Sequence, residues 1–139
     1  MRSLFLTLLF AAPALAQELP VVQLNAGMHL IRAEVADNMS ARTTGLMHRK
    51  SMAQNAGMVF VFEENAAHCM WMKNTLIPLS VAFIDDRGGI VNIADMEPHS
   101  EASHCATRPV RYALEMNRGW FAARGVKPGS RLGGIPGVK

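Results

Sequence analysis

The chain has two cysteines, one tyrosine and two tryptophans among 139 residues, and only 6% of its residues are aromatic. No Cys-x-x-Cys occurs, which weighs against a thioredoxin-like redox centre. No serine sits in a Gly-x-Ser-x-Gly elbow, and neither a phosphate loop nor a dinucleotide fingerprint is present. The basic residues are scattered instead of striped with aromatics, so no nucleic-acid surface is expected. The formal charge of +3 is small and implies no acidic partner. No apolar run approaches the roughly 20 residues of a spanning helix, so no membrane anchor is expected.

What is present begins with a leader. Arg2, an apolar block from Leu4 to Ala12 and the small-residue site Ala14-Leu15-Ala16 have the form of a secretory signal peptide, residues 1–16, with cleavage after Ala16. No lipobox cysteine follows. The mature part, residues 17–139 with a core over about 20–132, has the length of one ordinary domain able to bury a core without a metal. The product is expected to be periplasmic or secreted, and monomeric. In an oxidising compartment Cys69 and Cys105 are expected to pair as a disulfide, with a soft-metal pair or a redox pair as the competing readings.

Short β-branched or apolar runs at even spacing predict strands over 21–24, 28–35, 57–62, 68–72, 79–84, 90–96 and 110–116, with a last short one at 131–132. Asn38 or Ser40 is placed to cap about two turns of helix through Ala41 and Gly45, and a second helical piece spans Trp120 to Arg124 with Gly125 as its stop. Glu63-Glu64-Asn65 reads as a turn that brings 68–72 back beside 57–62. Glu97 to Arg108 reads as a long loop, and Gly133 to Lys139 as a frayed tail. The fold class this predicts is mainly β, a β-sandwich or small barrel, with one or two short helices.

The order of motifs is itself informative. RTTGLMHR (Arg42 to Arg49), GMVFVF (Gly57 to Phe62), WMKNTLIPL (Trp71 to Leu79), FIDDRGGIV (Phe83 to Val91), Glu97-Pro98, ALEMNRG (Ala113 to Gly119) and GVKPGSRL (Gly125 to Leu132) follow one another along the mature chain. In this order the chain resembles domain-of-unknown-function family 192. The resemblance implies a compact, largely β domain, usually free-standing and often exported, whose activity is not established. One departure stands before Trp71, where the family pattern is commonly aromatic and this chain has Met70.

Three functional readings attach to these residues. The first is a pocket for a small molecule or an envelope protein's peptide, lined by Trp71, Lys73, Asn74 and Thr75, with Glu97, Glu115 and Asn117 arriving from other strands. In it Lys73 meets Glu97 or Glu115, since a lysine inside an apolar run needs a partner when buried. The second is a copper(I) site. Nine methionines follow the leader, and strand alternation puts His68, Met70 and Met72 on one face, with His99 and His104 within reach of a loop. Methionine also fills irregular cores, which is the plain alternative. The third is catalysis by Lys73, Glu97 and Glu115 as acid and base, or by a cysteine nucleophile. The first reading is preferred: a non-catalytic binding or accessory module of the cell envelope, with no catalytic residue, metal or cofactor assigned.

Overall fold

The structure, a computed structural model, describes residues 18–139. The expected signal peptide and its cleavage site lie outside the described residues. β1 (Val21–Ala26) and β2 (His29–Ala36) form the expected hairpin, Ala26 facing His29 across a turn in which Gly27 takes a φ of 58° that most side chains resist. α1 (Met39–Thr44) follows, its first turn capped by Asn38, whose side-chain oxygen accepts the Ala41 N–H at 2.9 Å. It ends at Gly45, where φ is 48° and the N–H returns to the Ala41 carbonyl. The chain then forms β3 (Ala56–Ala66), β4 (Cys69–Met70), β5 (Leu79–Ile84), β6 (Ile90–Met96), β7 (His104–Cys105), β8 (Val110–Asn117), α2 (Trp120–Ala123) and β9 (Leu132–Gly133).

Seven strands make one sheet in the order β6-β5-β8-β3-β2-β1-β9, antiparallel except for the parallel pair β2 and β3. The sheet curls into a half barrel. Its edges meet at one end, where Ile90 N–H donates to Ser130 O and Leu132 N–H to Gly88 O while β9 pairs with β1. The predicted class, mainly β with two short helices, is therefore what the chain adopts, and the open choice between sandwich and barrel resolves into this single curled sheet.

Both faces of the sheet are apolar, because residues alternate along each strand and both sets are buried. Val59, Ala82, Ile84, Leu114 and Met116 point to the inner face, closed by Trp120 and Phe121 of α2. Met58, Phe60, Leu79, Val81, Phe83 and Ala113 point to the outer face. Among the described residues no second large sheet covers that outer face, only the two-stranded pair β4 and β7 within the covering loops. Leu46 after α1 and Met72, Ile77 and Ala106 from the two loops 67–78 and 97–109 bury it instead.

Three expectations need correction. Glu63-Glu64-Asn65 is not a turn: β3 runs on to Ala66 with a shift of register between Val61 and Ala66, and the irregular stretch absorbs the polar residues at an exposed end. The 68–72 run is not the neighbour of β3. Only Cys69 and Met70 are paired, with Cys105 and His104 in a separate two-stranded ladder, because the chain turns inward at Met72 to bury its side chain completely. The tail does not fray, since Ile135 is buried and Val138 packs on the inner core.

The disulfide joins Cys69 to Cys105 across the small ladder and ties the two covering loops together. It closes a loop with a sequence separation of 36. In the chain-entropy account such a loop contributes about 4 kcal/mol. Replacing both cysteines by alanine is expected to lower the urea-derived unfolding free energy by about 3–4 kcal/mol; a loss below about 1 kcal/mol would mean that backbone hydrogen bonds alone hold these loops.

Candidate functional site

Between α1 and the disulfide-linked loop the outer face stays open as a pocket of about 330 Å³. Its floor is sheet: Phe60 of β3 and Glu115 of β8. One wall is Arg42 to Met47, the end of α1 and the residues after it. A Cβ on Gly45 would meet the Phe60 ring at an ordinary contact distance of 3.4 Å, so it is the positive φ at the helix end, not space, that calls for glycine here. The opposite wall is Cys69, Met70, Trp71 and Thr75, with Phe62 at the side. His48 N–H donates to Asn74 O at 2.9 Å and links the two walls behind the pocket. The second wall is held in turn by the long loop, through Met72 N–H to Ser100 O, His99 N–H to Thr75 O and Ala106 N–H to His68 O.

Glu115 is the unusual residue. It lies on a central strand, opposite Met58 on one side and Val81 on the other, and is only 4% exposed. Alternation from Ala113 places it on the outer face, among Phe60 and Leu46. No side-chain hydrogen bond or ion pair reaches its carboxyl group among the described residues. Burial without a compensating charge pushes its pKa up to about 8. The one basic residue on the lining, Arg42, makes no hydrogen bond or ion pair with it and donates instead to Val61 O at 2.9 Å and to Glu63 Oε1 at 3.3 Å.

Of the residues the sequence nominated, the fold brings Trp71, Thr75 and Glu115 to this pocket. Thr75 is buried and its hydroxyl donates to Lys73 O, while Trp71 is 47% exposed at the rim. Four others stand outside the lining. Lys73 is exposed, with its ammonium 5.3 Å from the Trp71 ring centroid, and pairs with neither Glu97 nor Glu115, so the expected lysine–carboxylate contact is corrected. The reason is the turn at Met72, which sends Lys73 outward. Asn74 shapes that turn in the left-handed region, φ 54°. Glu97 pairs with Arg118 on the surface. The Asn117 side chain donates to the carbonyls of Met52 and Ala53 and so anchors a loop.

The residues considered for copper lie in different local surroundings. His68 stacks on Phe62 at 3.8 Å between ring centroids and contacts Glu64 O through Nε2. Met72 is wholly buried, and Met70 faces the pocket opposite His104 in the small ladder. His99 is exposed in the long loop. The segment that sequence reasoning left out is Arg42 to Met47. Its signal was the RTTGLM motif, placed on a helix but not connected to the Trp71 stretch.

A larger hollow of about 530 Å³ lies beside α2, between Ser80, Asp95 and Phe121. Its buried polar group is already satisfied: Ser80 Oγ donates to Asp95 and accepts the Gly119 N–H. The smaller pocket is the better candidate because its buried acid has no protein partner.

Fold and site together define a small curled-sheet domain with a loop-walled pocket on its outer face. Residues 21–134 match the family DUF192, described as uncharacterized ACR, and the chain belongs to that family. It is similar to a provisionally assigned transcription regulator from Sinorhizobium meliloti 1021, at 39% identity and a TM-score of 0.81 over 86% of this chain and 97% of that one. It is also similar to a protein of unknown function from Novosphingobium aromaticivorans DSM 12444, at 30% identity and a TM-score of 0.77 over 88% and 90%. No curated protein matches it.

Glu115 makes stability depend on pH with a definite sign. Its folded pKa of about 8 lies above the ordinary 4.5, so between these values the unfolded chain gives up the proton first and stability falls as pH rises. The full benefit is present below the ordinary value and is gone above the folded one. The slope from this group approaches about 1.4 kcal/mol per pH unit. Urea midpoints measured from about pH 5 to about pH 8 are expected to fall more steeply for the native chain than for Glu115→Gln; parallel curves would show that the carboxyl group is not held protonated.

Proposed function

We propose that this protein is a non-catalytic binding module of the cell envelope that takes a small ligand in the pocket above Glu115. The observation that carries the reading is the carboxyl group of an otherwise buried residue, Glu115, which lines a cavity, receives no side-chain hydrogen bond from the described residues and keeps its oxygens open to that cavity. Such a group costs stability, and a ligand that meets it recovers part of that cost. A volume of about 330 Å³ falls within the range of small-molecule sites, and apolar walls with a few convergent polar groups are their usual form. Four of the segments that carry the family resemblance, those containing Arg42, Phe60, Trp71 and Glu115, contribute to the lining.

Binding is preferred to catalysis because the pocket's only sulfur nucleophile, Cys69, is committed to the disulfide. Placement in the envelope is supported by that disulfide between two exposed cysteines, which suits an oxidising compartment. Among the described residues no helix is long and apolar enough to cross a membrane. The regulator label of the Sinorhizobium protein is not carried over, since the two helices here have six and four residues and neither has the length of a groove-reading recognition helix.

A fragment screen followed by amide NMR tests the reading. Fragments that bind are expected to shift the amides of 42–47 and 69–75 together and to change the emission of Trp71, with Trp71→Ala removing the fluorescence response. Thr43→Trp, which fills the pocket from its exposed wall, is expected to weaken binding by about tenfold or more. Hits that cluster instead beside α2, or no hits at either wall, would refute the assignment.

A further inference from the structure

We infer that the ligand is an organic ammonium ion, its charged nitrogen received by the Glu115 carboxylate and its body lodged against Phe60, Phe62 and Trp71. This rests on the pocket reading above and names the chemistry of the occupant. The buried polar side chain that lacks a partner in this pocket is an acid, so the group that completes it is a hydrogen-bond donor, and a cationic one makes the stronger, charge-assisted bond. The surroundings sharpen this preference. Glu115 is flanked in the sheet by Met58 and Val81, and an ion pair formed in such an apolar place is screened far less than one at the surface.

The aromatic side chains act in the same direction. Phe60, Phe62 and Trp71 all line the cavity, one face of Phe62 being covered by His68, and aromatic ring faces attract a cation. The Trp71 indole already holds an ammonium, that of Lys73, at 5.3 Å. The charged groups around Glu115 leave it free for this role. From α1 comes Arg42, whose guanidinium bonds Val61 O and is balanced by Glu63 of β3. β5 and β8 contribute no second charge to the lining, the disulfide does not titrate, and Lys73 stands exposed outside it. A carboxylate ligand is disfavoured because it would face the Glu115 acid, while the one basic lining residue, Arg42, already has its charge balanced by Glu63 and two of its five N–H donors in use.

One consequence is thermodynamic. In the free protein Glu115 is protonated below about pH 8. Receiving a cation ionises it, so the proton leaves to solvent as the ammonium docks, and affinity rises with pH until the free carboxyl group is itself ionised. Calorimetry and amide NMR with benzylammonium, benzyl alcohol and benzoate separate the possibilities. Benzylammonium is expected to bind on the order of tenfold tighter than the alcohol, shifting the amides of 42–47 and 69–75. Titrations in buffers of different ionisation enthalpy are expected to report release of about one proton per ligand near pH ~6.5, falling toward zero near pH ~9.

Glu115→Gln is expected to abolish the preference for the ammonium while leaving the alcohol's binding in place, and the proton count in the native protein serves should that variant fail to fold. Benzyl alcohol or benzoate binding in the pocket as tightly as benzylammonium, or ammonium binding with no proton release, overturns the inference and leaves the pocket reading standing. If none of the three perturbs either wall while unrelated fragments do, the ammonium assignment alone fails. If no fragment perturbs them, both fall.

Discussion

The outer face of the sheet is as apolar as the inner one, yet among the described residues it is covered by no large sheet, only by the short α1 and two loops, and the rest of the structure follows from how those loops are held. Loops lack the internal ladder of a helix or strand, so their backbone groups need outside partners. Here each loop satisfies the other: His68, Thr75 and Ser100 offer carbonyls to Ala106, His99 and Met72 across the gap, and the Cys69–Cys105 disulfide fixes the same pair covalently. With this cover in place Met72 and Ile77 can sink into the outer core. Without it Phe60, Val81 and Phe83 would face water.

The pocket is what this cover leaves open. α1 is short, and the segment after it is tied to the disulfide-linked loop through the bond from His48 to Asn74. Glu115 lies beneath the opening. A carboxyl group at that position of a central strand is unfavourable for folding, and its neighbours in the sheet do nothing to offset it. A leucine there would join the outer core. Retention of an acid in such a place is the kind of local conflict with folding that marks a functional position.

Much of the architecture was legible in the chain. Strands at 79–84, 90–96 and 110–116 are apolar or alternating runs bounded by turn residues, and the β1–β2 hairpin is announced by Asn25-Ala26-Gly27. The errors share one cause. Glu63 to Asn65 has the composition of a turn, and 68–72 the pattern of a strand, but local preference yields to tertiary demand where a long strand must continue past its partner and a methionine must be buried. The tail at Ile135 and Val138 was likewise misread, because docking against a distant core leaves no local signal.

The residues themselves determined the family, the β-rich class and the two short helices, since these depend on local pattern and on the order of motifs along the chain. Only the tertiary structure decided that Lys73 turns outward while Glu115 is left alone beneath a cavity. Which side of a strand a residue faces can be read from its spacing, but what stands opposite it, and whether anything there meets its charge, depends on segments dozens of residues away.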